Sequence, residues 1–246
     1  GTVTFPSTDV MLKYYYIPTL NEDKKDILPH IQNAVGNKNC VGIILKINSP
    51  GGSATQSKII FDEINKIRAS SEKKIYAVIE DVGASGGYYV AASADMIFSS
   101  ASSIVGSIGV RLDSFNLKGL MEKLGVESQI ISSGEDKTIL DPFSELTSQH
   151  RAHLKKLLKN IHNQFITDIK LSRGDRIKDN VFTGLFWTGG EAKKIGLIDD
   201  LLSTYDVSDR YFNNHQMIIY NKERDILKEL FNTKVNFSNS IFGIRY

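Results

Sequence analysis

Cysteine occurs once in the 246 residues, at Cys40, which excludes an internal disulfide and a cysteine metal cluster. Its neighbours Val41-Gly42-Ile43-Ile44 predict a small apolar filler at the edge of a buried strand, not a reactive thiol. Long apolar runs are missing too. Crossing a bilayer takes ~18 apolar residues, and the best stretches, 41–47 and 104–110, are strand-sized. No secretory leader opens the chain, and Gly1 is not an initiating residue, which leads to the expectation that a preceding segment was removed. Charge of one sign is scarce: 30 Lys and Arg against 28 Asp and Glu leave a formal +2. A balance that even predicts no basic face, so composition gives no reason to expect a nucleic-acid partner. No internal repeat, low-complexity tract or linker is visible.

What is present is an ordinary globular composition, 41% hydrophobic and 24% charged. The β-branched run Val41-Gly42-Ile43-Ile44-Leu45-Lys46-Ile47 reads as a buried strand. Asn48-Ser49-Pro50-Gly51-Gly52 breaks it, and residues 55–68 follow as a helix with Ile59, Ile60, Ile64 and Ile67 at helical spacing. Residues 75–79 form a second strand, 81–84 a turn, and 85–94 a tightly packed helix of small residues. Further strands are expected at 96–99, 108–112, 126–132 and 217–220. Further helices are expected at 25–36, 117–124, 145–171, 191–195 and 222–231. Strands alternating with helices predict the α/β class. We read residues 1–246 as one domain, with a C-terminal extension from about 205 to 246 that could pack at a subunit interface.

Three segments stand out as costly unless they do chemistry. In Ser49-Pro50-Gly51-Gly52, two glycines let the backbone approach a ligand and aim N–H groups at an oxygen; an ordinary strand-to-helix turn would look the same. In Gly83-Ala84-Ser85-Gly86-Gly87, a serine between small residues opens a helix. A sharp turn would present its hydroxyl, with the Gly86 N–H and the helix dipole ready to stabilise an oxyanion; a plain N-cap serine is the alternative. The third is Gly134-Glu135-Asp136-Lys137-Thr138, where a lysine in a polar turn reads locally as a solvated charge.

Together these segments resemble a known family. Residues 47–52, 84–91 and Val105-Gly106-Ser107-Ile108-Gly109-Val110 look like the signature blocks of signal peptide peptidase A and its SohB-like relatives, peptidase family S49. Residues 134–143 and Trp187-Thr188-Gly189-Gly190-Glu191-Ala192, leading to Gly196-Leu197-Ile198-Asp199, fit as fourth and fifth blocks, in order from about 40 to 202. The resemblance implies the ClpP/crotonase-like fold of repeated β-β-α units and a serine protease with a Ser–Lys dyad. The nucleophile maps onto Ser85, the base onto Lys137, the auxiliary serine onto Ser107, and the oxyanion hole onto the N–H groups of Gly52 and Gly86. Asp81-Val82-Gly83 departs from the apolar small-residue turn expected ahead of the nucleophile. ClpP-type proteases use a histidine shortly after the serine, but none lies between Ser85 and His150; of His30, His150, His153, His162 and His215, three sit on one amphipathic helix, where a surface or core role is expected.

The chemistry then makes a demand. An amine in water holds its proton at neutral pH, so Lys137 is expected to fold inward onto Ser85, desolvated and away from Glu135, Asp136 and Asp141. It would take the Ser85 proton, and the alkoxide would form an acyl-enzyme that water hydrolyses; no metal or organic cofactor is required. Small residues at the site suggest shallow pockets for small or apolar side chains. The resemblance implies signal peptides or membrane-associated peptides bound as an extended strand, a homo-oligomer, and in the full-length protein a membrane anchor with an extracytoplasmic catalytic domain, this chain itself being soluble. The competing readings are a crotonase-type acyl-CoA enzyme, which needs no serine paired with a distant lysine, and a non-catalytic assembly member of the family.

Overall fold

The structure, a computed structural model, describes residues 9–16, 24–178, 180–214 and 216–219. Among them one seven-stranded sheet runs in the order β6-β5-β3-β2-β1-β7, with β4 beside β3. Its strands are β1 (Asp9–Tyr16), β2 (Cys40–Ser49), β3 (Lys74–Ala84), β4 (Met96–Ser99), β5 (Ile104–Gly106), β6 (Phe186–Thr188) and β7 (Gln216–Ile219). The helices are α1 (Lys24–Gly36), α2 (Ala54–Ala69), α3 (Gly86–Ala91), α4 (Lys118–Leu124), α5 (Ser148–Arg173), α6 (Gly189–Ile195) and α7 (Thr204–Phe212). All pairings are parallel except β5 with β6. The chain is therefore a mixed α/β protein, as its alternating pattern predicts.

The apolar run in β2 is uninterrupted because both faces of that strand are covered. Ile43, Leu45 and Ile47 pack with Ile75, Ala77 and Ile79 of β3 against α1, α2 and α3. Ile44, Tyr76 and Val78 turn to the other face and meet Phe98, Val207 and Phe212. The α2 residues Ile60, Phe61, Ile64 and Ile67 are buried at helical spacing; truncating the fully buried Ile64 to Ala would cost about 2–5 kcal/mol.

Three expectations need correction. Residues 81–84 do not turn: they extend β3, because Val82, Gly83 and Ala84 find a partner strand in Ile104, Val105 and Gly106. The strand expected at 108–112 lies instead at 104–106, since Gly106 (φ 111°) and Ser107 (φ 53°) both enter the left-handed region and end it. Residues 126–132 form no strand, for a strand needs an edge to pair with and that stretch lies exposed. The start of the assigned C-terminal extension joins the fold: α7 covers one face and β7 pairs with β1. The helix expected at 222–231 and the rest of the tail lie outside the described residues. Among the described residues no helix is long and apolar enough to cross a membrane.

Candidate active site

The parallel strands β2 and β3 end side by side, and their ends build the site. Asn48 joins them: its side-chain amide donates to Asp81 Oδ2 at 3.0 Å, and its Oδ1 accepts from the Val82 N–H at 3.2 Å. That explains the polar Asp81 ahead of Ser85, since the aspartate is a bridge to the facing strand. Beyond Asn48 the chain turns through Ser49, whose Oγ accepts from the Gly51 N–H at 3.2 Å. The turn ends at Ser53, which caps α2 by accepting from the Gln56 N–H at 3.3 Å.

Ser85 stands where β3 becomes α3, with φ 51° and ψ −121°. A non-glycine residue in that region is strained, by about 1–3 kcal/mol. The bend is held by the Ser85 N–H, which donates to Gly106 O at 2.8 Å, and by its carbonyl, which accepts from the Tyr89 N–H at 2.9 Å. The hydroxyl forms no capping bond, so the plain N-cap reading fails: the strain presents Oγ without using it. Glycine is needed alongside. A Cβ on Gly51 (φ 113°) would stand 2.8 Å from Ser85 Cβ and 3.1 Å from its Oγ, and one on Gly86 would meet Ser57 Oγ at 2.3 Å and Gly52 N at 3.3 Å. The Gly51-Gly52 and Ser85-Gly86 backbones thus touch. Among the described residues neither the Gly52 nor the Gly86 N–H meets an acceptor. Two unused N–H donors beside an unused hydroxyl could hold a developing oxyanion while the hydroxyl attacks a carbonyl.

The other blocks support this bend. Ser107 follows Gly106, and its N–H donates to Leu185 O at 2.7 Å. Trp187 of β6 packs where a Gly106 Cβ would be, and Gly189 donates its N–H to Ser103 O at 2.8 Å. Tyr88 in α3 donates to Leu197 O at 2.8 Å. Next to it, the buried Arg173 binds both Asp199 oxygens, at 2.8 and 3.1 Å, and Asp199 accepts from the Ile97 N–H at 2.7 Å. Burial pushes the Asp199 carboxyl up, but the bonds and charge of Arg173, with help from Ile97 and Arg176, outweigh it and hold it below the usual carboxylate range. Tyr89 donates to the buried Asp168 and stacks on Phe165 at 4.2 Å, which ties α3 to α5; burial, then Asp168, pushes its phenol up.

Lys137 sits elsewhere. Residues 111–146 carry no buried side chain, and α4 within them buries none. Lys137 is exposed there, and among the described residues its side chain forms no hydrogen bond or ion pair. The inward fold onto Ser85 is absent within the single chain, and Ser107 makes no bond to the amine. The neighbouring carboxylates are engaged away from it: Asp136 with His150 Nε2 at 2.8 Å, Asp141 with Ser144 Oγ at 2.5 Å. So the structure brings together Ser85, Gly52, Gly86 and, through its backbone, Ser107, but not Lys137. Sequence reasoning missed Asn48, which lay in a motif read for its glycines, and the helix histidine His162, whose Nε2 lies 3.0 Å from Ile108 O. Among the described residues no group of His, Cys, Asp and Glu could hold a metal ion.

Comparison with known proteins bears on this arrangement. A segment 42% identical over 173 residues occurs in a Na(+)/H(+) antiporter NhaA of Brucella melitensis, covering 70% of this chain and 24% of the antiporter. A putative protease of Methanocaldococcus jannaschii is 32% identical over 189 residues, 76% of this chain and 57% of that protein. A putative signal peptide peptidase SppA of Enterococcus faecium is 29% identical over 188 residues, 75% and 54% of the two chains. The chain thus spans about a quarter of the antiporter and little more than half of these two proteases. Residues 67–216, from the end of α2 through Ser85, Ser107 and Lys137 into β7, match the pattern of peptidase family S49, and the chain belongs to that family.

Proposed function

We propose that this chain hydrolyses peptide bonds as a serine protease, with Ser85 as nucleophile, Lys137 as general base, Ser107 orienting the amine, and the Gly52 and Gly86 N–H groups as oxyanion hole. The observation that carries the reading is the strained Ser85 bend, with its unused hydroxyl against two glycines whose donors are free. The named relatives from M. jannaschii and E. faecium support it, and so does the order β2–α2–β3–α3–β4, which fits the ClpP/crotonase-like fold. Ser85 Oγ attacks the scissile carbonyl, its proton passes to the neutral amine and then to the leaving amine, and water releases the acyl group. Each oxyanion donor is worth about 3 kcal/mol.

The base completes the site through assembly. Lys137 lies one residue from Asp136, which His150 holds; Ser107 lies one residue from Ile108, which His162 holds. Twelve residues of α5 separate the two histidines, about 18 Å along the helix axis, more than a lysine side chain spans. The arm that carries Lys137 exposes Phe115, Leu120, Leu124, Ile130 and Ile131, with Ile131 at 102% and Phe115 at 79% exposure. Apolar surface of that extent marks an interface. In the proposed homo-oligomer the arm of one copy packs on the next, drying Lys137 beside that copy's Ser85.

Substrates are proposed to be signal peptides or membrane-associated peptides. A cavity of about 660 Å³ beside the β3–β5 pairing, lined by Val78, Val82, Ile104 and Leu202 and also by Lys46, Glu80 and Asp81, is the proposed place for a substrate side chain. A membrane anchor in the full-length protein belongs to the same proposal. A fluorophosphonate probe should label Ser85, and peptidase activity should vanish in Ser85→Ala and Lys137→Ala. Equal activity in all three proteins would end the protease reading. An unlabelled Ser85 with acyl-CoA turnover would favour crotonase chemistry.

A further inference from the structure

Ser107 is the second serine held in the left-handed region next to the site, with φ 53°. Such a conformation persists only where its surroundings over-determine it. Three successive residues are bonded there. Gly106 O accepts from Ser85, and the Ser107 N–H donates to Leu185 O. Ile108 O lies 3.0 Å from His162 Nε2. A carbonyl only accepts, so Nε2 carries the hydrogen. The Ile108 side chain is fully buried, and His162 is half-buried on α5, one turn before the buried Phe165. The other two α5 histidines differ: His153 is exposed, and His150 meets an exposed carboxylate.

We infer that His162 is a positioning residue: by donating to the Ile108 carbonyl it locks the left-handed turn at Ser107, and through Gly106 the backbone of the Ser85 bend. The inference rests on the proposed roles of Ser85 and Ser107. The first bond fixes the entry to the turn at Leu185, and the second fixes the exit at α5. Without the exit bond the peptide between Ile108 and Gly109 can rotate, the turn loses its tether to α5, and φ at Ser107 can relax and carry Gly106 O away from the Ser85 N–H. Misplacement of about 1 Å at a reacting group lowers rates by roughly 10²-fold. No proton needs to move to or from His162.

The test uses the full chain as wild type, His162→Leu, His162→Gln and Ser85→Ala, with fluorophosphonate labelling rate, kcat, KM and thermal midpoint measured for each. Glutamine can place an N–H near the position of Nε2, and leucine cannot. Expected is a fall of about tenfold or more in labelling rate and kcat for His162→Leu, with KM within about twofold, and recovery to within about threefold of wild type in His162→Gln. If His162→Leu does not fold, His162→Asn, whose shorter amide falls short of Ile108 O, takes its place. Labelled wild type with the leucine or asparagine variant labelling equally fast would overturn the inference alone. A glutamine variant as slow as the leucine one would do the same. Wild type that escapes labelling at Ser85 would overturn the nucleophile assignment, and the inference with it.

Discussion

Around Ser85 the backbone is bonded on every side: to Gly106, to Tyr89 and, through the paired strand ends, to Asn48. Residues 111–146, which carry Lys137, bury no side chain and expose leucines, isoleucines and a phenylalanine. The first region is finished by its own chain. The second has apolar side chains that nothing among the described residues covers. On the proposed reading, folding energy fixes the nucleophile, while the base is left to assembly. Assembly would then switch activity on, and an isolated chain would hold a bent, strained serine with no base beside it.

The contrast predicts effects of decreasing size. Ser85→Ala and Lys137→Ala should each lower kcat by about 10⁴-fold or more. Only the folding of the arm's partner site, not the thermal midpoint of the isolated chain, should register the lysine change. Next comes the support under the nucleophile. Arg173→Met leaves the Asp199 carboxylate only the Arg176 guanidinium and the Ile97 N–H, and thermal or urea unfolding should show a loss of about 3 kcal/mol, the low end for a broken buried pair. The sign of the pH effect follows from the lowered Asp199 carboxyl. The pair stabilises the fold above the ordinary aspartate range and loses that contribution as pH falls through the folded-state value. The destabilisation by Arg173→Met should therefore shrink in acid and persist at neutral pH. Gly51→Ala pushes a methyl against Ser85 and should cut kcat by about 10²-fold, on the order of one oxyanion donor, with little change in fold. Ile131→Asp with Phe115→Asp in the arm should leave the thermal midpoint nearly unchanged. It should move the sedimentation profile toward the single chain, with activity falling in step with the assembled fraction.

Legibility in the sequence followed the same division. Buried strands and amphipathic helices declare themselves by periodicity, so β2, α2 and α5 were readable to within a few residues, as was the serine at a helix start. Burial on two faces gives an apolar run, and burial on one face gives a stripe. The strand at 126–132 misled because the β-branched residues Val126, Ile130 and Ile131 signal a surface to be covered without saying by what. Gly83 misled as a turn signal because its missing Cβ makes room for the Ile79 side chain inside β3. Asn48 and His162 were invisible as candidates, since the two bonds of Asn48 and the one of His162 reach groups more than thirty positions away. The exposed placement of Lys137 was beyond periodicity for a related reason: in the proposed assembly, one chain's sequence does not say which copy's serine the amine meets.

Mixing two inactive chains tests the central claim most directly. Ser85→Ala and Lys137→Ala proteins, unfolded together and reassembled in equal amounts, should recover activity at about a quarter of the wild-type sites, because a shared site then draws its serine from one copy and its lysine from another. Mixed particles demonstrated by mass that remain wholly inactive, beside a fully active wild-type control treated the same way, would contradict it.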